Sequence, residues 1–305
     1  MAATGAVRAQ REGWLGDRVA RARELLRPCR VCPRPCRAVD RLDDEVGGCR
    51  IGRWARVVGA APHHGEEDAL RGRRGSGTIF LSGCNLRCVF CQNADIAHTA
   101  AGREVTEQQL AGLMLDLQRQ GCHNINLVTP EHVLPQILEA LPTAVEQGLT
   151  LPLVWNTSAY EDPATLSLLD GLVDVYLPDV KTLDPERARR YLGAADYPDI
   201  AARAVAEMHR QVGDLVVDDR GVARRGLLVR HLVMPGGEAD ARAVAELLAS
   251  LSTDTAVNVM GQYRPAHKVP GNERYAAIDR RPWAAELGAA VAAFRAAGLW
   301  RLEAP

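Results

Sequence analysis

Long apolar stretches are missing from this 305-residue chain. The longest run without Asp, Glu, Lys or Arg is 14 residues, Gln147 to Tyr160, and it contains Gly148, Pro152 and Asn156. A membrane-spanning helix needs about 20 apolar residues, so no membrane role is expected. An excess of either charge is missing too: 37 Lys plus Arg face 38 Asp plus Glu, a formal net charge of -1. That argues against nucleic acid or anionic membrane as the main partner, while leaving room for a local basic patch. With 47% hydrophobic and 25% charged residues the composition is globular, which excludes a disordered or fibrous chain. No secretory signal opens the chain, because Arg8, Arg11, Glu12, Asp17, Arg18 and Arg21 interrupt any apolar core. A cytoplasmic protein is the expectation.

Cysteine, by contrast, is present eight times and is clustered. Cys29, Cys32, Cys36 and Cys49 share one segment, Cys84, Cys88 and Cys91 another, and Cys122 stands alone. In a reducing compartment such clusters bind metal or do chemistry rather than form disulfides.

The first 75 residues differ from the rest. Trp14 to Leu26 reads as an amphipathic helix, followed by the Pro- and Arg-rich cysteine segment, a short strand at Arg56–Ala60, and a polar, Gly-rich loop from His63 to Gly77. The paired His63-His64 with Glu66 and Glu67 reads as part of that linker. The expected division is therefore a small cysteine module with its linker at residues 1–75 and a second domain at 76–305. From Thr78 a βα rhythm begins. β-rich runs at Thr78–Leu81, Asn124–Val128, Leu153–Trp155, Val173–Leu177, Leu227–Val233 and Ala256–Met260 alternate with helical patterns. Thr106 followed by Gln109 predicts a capping box, and Asp162-Pro163 and Asp184-Pro185 predict N-caps with a first-turn proline. Six such units fit a partial (β/α)6 barrel or a doubly wound open sheet, and both place chemistry at the C-terminal strand ends.

Cys84-x3-Cys88-x2-Cys91 directly follows the first of these strands. Chance alone would place this spacing in the chain with odds of about 0.005. Three thiolates on one loop can hold three irons of a [4Fe–4S] cluster and leave the fourth open; a zinc site, or a cluster completed by Cys122 or His98, is the alternative. The four N-terminal thiols, C-x2-C-x3-C with Cys49 thirteen positions on, suit zinc or an auxiliary iron–sulfur cluster. Arg230 and His231 lie within the apolar run Leu227–Val233, where a charge is costly unless paired, and alternation sends them to opposite faces.

The run Gly75 to Asn93, with Phe90 before the last cysteine, resembles the radical S-adenosylmethionine (SAM) enzymes. Together with the Cys29–Cys49 motif it is most similar to the branch that resembles pyruvate formate-lyase activating enzyme and carries an extra N-terminal cysteine motif. Segments at Asn126–Glu131, Tyr176–Lys181, Val229–Pro235 and Asn258–Pro265 extend the resemblance over residues 29 to about 268. It implies an α/β fold with a partial radical-SAM-type barrel. It also implies a [4Fe–4S] cluster on Cys84, Cys88 and Cys91, SAM cleavage to a 5′-deoxyadenosyl radical, and a reductant such as flavodoxin or ferredoxin. Phe90 would pack near the adenine. Thr129 and Glu131 stand where the family often has Gly-Gly-Glu beside the SAM amino group, and Pro130 removes a backbone donor there. Glu131 equally suits a first-turn helix carboxylate. Asn156 and Ser158 suit the ribose or the methionine carboxylate, Asp179 and Lys181 would hold SAM, and Arg230 would take its carboxylate. Gln262, Tyr263 and Arg264 are expected at the mouth. The substrate is either a glycyl radical enzyme to be activated or a small molecule or peptide to be modified. A non-catalytic iron–sulfur or zinc protein is the competing class, and a tRNA-modifying enzyme is disfavoured by the neutral charge.

Overall fold

The computed structural model describes residues 3–303. Among the described residues ten strands form: β1 (Ala55–His63), β2 (Ser76–Leu81), β3 (Arg103–Val105), β4 (Ile125–Val128), β5 (Leu153–Thr157), β6 (Val175–Pro178), β7 (Val216–Val217), β8 (Ala223–Leu232), β9 (Ala256–Met260) and β10 (Leu302–Glu303). The sheet order is β10-β9-β8-β6-β5-β4-β2-β1-β3, with β7 attached to β8. From β2 to β9 the six central strands pair in parallel, joined by helical crossovers. These are the six expected strands, and the architecture is α/β with a mostly parallel sheet. Near-continuous apolar runs such as Leu153-Val154-Trp155 form strands here because both faces are covered. One face meets the helices; the other faces the barrel interior.

Helix signals read from the sequence operate as capping chemistry. Thr106 accepts from the Gln109 amide and the Gln109 side chain returns to the Thr106 amide, opening the helix Glu107–Arg119. Asp162 and Asp184 accept from amides of the turns they precede. A helix at Gly5–Arg11 was not expected. It forms by docking: Gly5 lies where a Cβ would be 2.5 Å from the Leu172 carbonyl oxygen, and its amide donates to Asp174 at 2.9 Å.

The stretch read as a polar linker is the turn of a hairpin. β1 and β2 are antiparallel neighbours in the same sheet, so the boundary expected at 75/76 falls between two paired strands. Within the turn a short helix, Asp68–Arg71, sends Leu70 into an apolar cluster with Val154, Val175, Leu177, Leu228 and Ala256. Those five alternate along their strands with the helix-facing Trp155 and Tyr176, so Leu70 seals the interior at the floor. Among the described residues no helix is long and apolar enough to cross a membrane.

Candidate functional site

At the opposite end of the barrel, the C-terminal end of β2 runs through Ser82 and Gly83 into the cysteine loop. Main-chain bonds pin that loop at three points: Arg87 N–H to Leu192 O (3.1 Å), Val89 N–H to Tyr191 O (2.9 Å), and Lys268 N–H to Val89 O (2.9 Å). Cys84 and Cys88 are buried and Cys91 is half-buried. The three thiols lie within electrostatic reach of one another, and the Leu86 amide donates to Cys84 Sγ at 3.3 Å. Burial raises all three thiols, Cys88 to about 12, and each is raised further by neighbouring negative charge: Glu131 beside Cys84, and Asp179 beside Cys88. Lys181 opposes this at Cys88 and Cys91. Thiols so placed become thiolates only where a cation offsets the charge, as a cluster iron does.

Glu131 follows β4 and is 1% exposed. Its Oε1 accepts from the Ser158 hydroxyl (2.5 Å) and amide (3.1 Å), while Oε2 is buried with no partner. Burial raises its carboxyl, against the hydrogen bonds from Ser158 and the attraction of Lys181. Backbone strain is concentrated here. Thr129 (φ 58°) and Ala159 (φ 61°), just past the ends of β4 and β5, both occupy the left-handed region without being glycine. Behind them, Glu161 accepts from Trp155 Nε1 (3.1 Å) and the Thr157 hydroxyl (2.6 Å). Burial and the neighbouring Glu131 push its carboxyl up to about 8.

Across the interior, Asp179 bonds Lys181 Nζ (2.9 Å) and Arg230 Nε (2.6 Å). Burial opposes the Asp179 charge, but the two cations outweigh it and hold the carboxyl below its usual range. Arg230 Nη2 also donates to Asn156 Oδ1 (2.5 Å), and Nη1 lies 3.5 Å from Glu66 and 4.0 Å from Glu67. Arg230 thus has every terminal nitrogen engaged. A SAM carboxylate would have to take the place of Glu66, its loosely held partner. Glu67 accepts from Asn258 on β9 at 2.9 Å. Glu66 and Glu67, read as solvated linker residues, are therefore interior groups. Sequence reasoning missed them, because only the hairpin turns the loop inward.

The remaining candidates divide. His231 faces the helices as alternation predicts, with its Nδ1 2.8 Å from Val180 O and its ring against Phe294. Phe90 is buried 5.9 Å from Tyr263, edge to face. Tyr263 is not a free phenol at the mouth: it is buried and donates to Ile278 O at 2.8 Å. Gln262 and Arg264 are exposed. His63 meets Phe80 edge to face, with ring centroids 5.8 Å apart. Cys122 is buried where a Cβ on Gly77 would touch it, near the start of β2. Cys84 lies beyond the far end of that six-residue strand, a span of roughly 20 Å. Cys122 cannot complete the triad's ligands.

Cys29, Cys32, Cys36 and Cys49 gather beside the triad loop. Each of Cys29, Cys36 and Cys49 acts electrostatically on Cys32, whose thiol burial pushes up to about 12. The Gly48 amide donates to Cys36 Sγ at 3.2 Å. A Cβ on Gly47 would lie 3.7 Å from Cys49 Sγ and 3.8 Å from Cys36 Sγ, so the turn passes between two sulfurs. Among the described residues no three His, Cys, Asp or Glu side chains are gathered as ligands of one metal ion. An iron–sulfur cube differs from one ion in binding each thiolate through a different iron.

The module grips the barrel through arginines. Arg34 donates to Asn85 O (2.5 Å) and Gly193 O (2.8 Å) and stacks over Tyr160. Arg41 is buried and donates to His132 O (2.8 Å), and Arg87 donates back to Gly48 O. At Gly83 (φ 79°) a Cβ would be 2.5 Å from the Cys49 carbonyl oxygen.

The family model described as the Radical SAM superfamily matches residues 78–249, more than half of the chain. An uncharacterized protein of Methanocaldococcus jannaschii is 31% identical over 267 residues, covering 85% of this chain and 72% of that protein. Among solved structures, the cobalamin-dependent S-adenosylmethionine radical enzyme OxsB with aqua-cobalamin bound is similar over 60% of this chain. The TM-score is 0.39 and the identity 14%, and the chain spans 28% of that enzyme's length.

Proposed function

This chain belongs to the radical SAM superfamily, and from that premise we propose that it uses SAM to abstract hydrogen from a substrate, in the manner of glycyl radical activases. A [4Fe–4S] cluster and SAM follow from the family. When bound, the reduced cluster supplies the electron that breaks a sulfonium C–S bond, giving methionine and the 5′-deoxyadenosyl radical.

In this reading Cys84, Cys88 and Cys91 hold the cluster, and the loop's three main-chain anchors keep their sulfurs in place. The observation that carries the reading is Glu131. Its carboxylate acts electrostatically on Cys84, and its buried Oε2 lacks a donor, which an ammonium group would provide. Ser158 orients that carboxylate through two bonds. Lys181 and Asp179, electrostatically coupled to Cys88, hold SAM on the other side. Asn156, Thr129 and Phe90 complete the enclosure. Arg230 fixes Asp179 and Asn156 from below and takes the SAM carboxylate in exchange for Glu66. The Cys29–Cys49 thiols take a second metal centre, iron–sulfur or zinc. A reductant of the flavodoxin or ferredoxin kind is the partner this chemistry requires.

Anaerobically reconstituted protein with dithionite should convert SAM into 5′-deoxyadenosine, and Cys88→Ala should not. Intact iron-loaded protein that neither turns over SAM nor changes its EPR signal when SAM is added would refute the reading. Offered a glycyl radical enzyme, an activase yields a glycyl EPR doublet; modification of a small molecule or peptide yields none.

A further inference from the structure

We propose, on the radical SAM reading of this site, that the substrate carries a cationic nitrogen, an alkylammonium or a guanidinium, which Glu66, Glu67 and Asn126 receive inside the barrel.

The hairpin tip sends Glu66 and Glu67 into the interior, where their side chains are 8% and 4% exposed. Charge around them does not balance. Two cations, Arg230 and Lys181, stand against three carboxylates, Asp179, Glu66 and Glu67. Arg230 and Lys181 each bond Asp179, at 2.6 and 2.9 Å, while the hairpin carboxylates lie 3.5 and 4.0 Å from Arg230. Arg71 of the hairpin helix is paired with Asp68. Glu303, in register with Asn258, brings another carboxylate within electrostatic reach of Glu67. Burial raises the Glu66 carboxyl, and Glu67 and Asp179 add to the rise against the pull of Arg230.

A second observation points to a ligand. Asn126 on β4 alternates with Ile125 and Leu127, which pack in the helix-facing core, so its side chain faces the interior. It is fully buried beside the Glu66 carboxylate, yet neither its amide nitrogen nor its oxygen has a hydrogen-bond partner. Glu67 Oε2 is likewise buried and unpartnered. Three unpaired polar atoms at this depth are costly, and a donor group that reaches them relieves the cost. Room exists for one. Phe80, Val128, Asn258 and Met260 face the same interior and keep partial exposure, whereas helix-facing Ile79, Leu127 and Val259 are buried.

The free acceptors match a cation. Glu66, Glu67 Oε2 and Asn126 Oδ1 together suit the three N–H donors of an ammonium, and a guanidinium offers more. The match strengthens when Arg230 turns to the SAM carboxylate. Glu66 then loses its partner, and two buried carboxylates stay side by side unless a cation joins them. Binding of the cation is therefore cooperative with SAM.

The test is equilibrium dialysis of labelled butylguanidinium and its uncharged isostere butylurea against the full chain, reconstituted without oxygen and without reductant, with and without SAM. Butylguanidinium should bind, butylurea should not, and SAM should tighten the guanidinium about fivefold. Equal binding of the two, no binding of either, or weakening by SAM overturns the proposal, and none of these needs a variant. E66Q/E67Q should lose about tenfold or more in guanidinium affinity; unchanged affinity overturns the assignment to this pair. Displacement of the probe by agmatine supports a free amine or guanidine as substrate, and displacement by a capped lysyl tripeptide supports a lysine side chain. Displacement by neither overturns the substrate class. If the guanidinium binds through Glu66 and Glu67 but SAM neither alters that binding nor is cleaved once dithionite is added, the radical SAM reading fails and the cation site stands.

Discussion

Glu161→Gln isolates the effect of one buried carboxyl. Glu161 is 3% exposed and receives hydrogen bonds from Trp155 and Thr157, with Glu131 as its charged neighbour. In the unfolded chain it ionises in the ordinary glutamate range, about 4.3; in the fold, burial and Glu131 hold the proton until about pH 8. Between those values the folded state binds the extra proton, so stability falls as pH rises through the window and levels off above it. At about 1.4 kcal/mol per pH unit, the fold loses on the order of 4 kcal/mol between pH 5 and pH 8 from this group. Glutamine keeps the carbonyl that accepts from Trp155 and Thr157 and has no proton to lose. E161Q should therefore match the parent near pH 5 and exceed it by several kcal/mol at pH 8. Urea denaturation at pH 5, 6, 7 and 8 measures this directly. Parallel stability profiles for the two proteins would refute the reasoning.

Two further outcomes follow from the geometry. Gly83→Ala places a Cβ 2.5 Å from the Cys49 carbonyl at a φ of 79°, so we expect a loss of at least about 2 kcal/mol in chemical denaturation and reduced iron uptake by the triad. Stability equal to the parent would show that the two loops do not press together. Asp179→Asn leaves Arg230 and Lys181 side by side without their shared carboxylate, and should cost about 3 kcal/mol, or roughly 5 °C in Tm for a chain of 305 residues. Calorimetry on the metal-free chain separates this from any effect on SAM binding; a shift below 2 °C would mean Glu66 and Glu67 already balance the two cations.

Much of this was legible in the residues. The six parallel strands announce themselves because a strand covered on both faces must be apolar throughout, as Leu153-Val154-Trp155 is. Caps such as Thr106 with Gln109 are local chemistry and survive folding unchanged. The triad's place after β2 needed only spacing and order. Other features depend on contacts the local pattern does not encode. Glu66 and Glu67 sit among glycines and histidines and read as solvated, yet they face Arg230 and Asn258 once the hairpin closes. Tyr263 lies past the end of β9, where strand alternation no longer sets direction, and it turns inward to Ile278. The helix Gly5–Arg11 has no side-chain cap and owes its form to docking against Leu172 and Asp174.

The floor of the barrel has a kinetic consequence. Glu67 meets Asn258 across 191 residues of chain, and Glu66 meets Arg230 across nearly as many. A chain growing from its N-terminus makes the β1–β2 hairpin early, with two carboxylates at its tip and nothing to receive them. They stay in water until β8 and β9 exist, and Leu70 finds its apolar seat only then. Loop-closure entropy over such separations makes this junction a late event, and contacts of that range slow folding as a whole. Charge at the hairpin tip keeps the waiting edge of β2 soluble during that interval, then becomes the latch that marks completion.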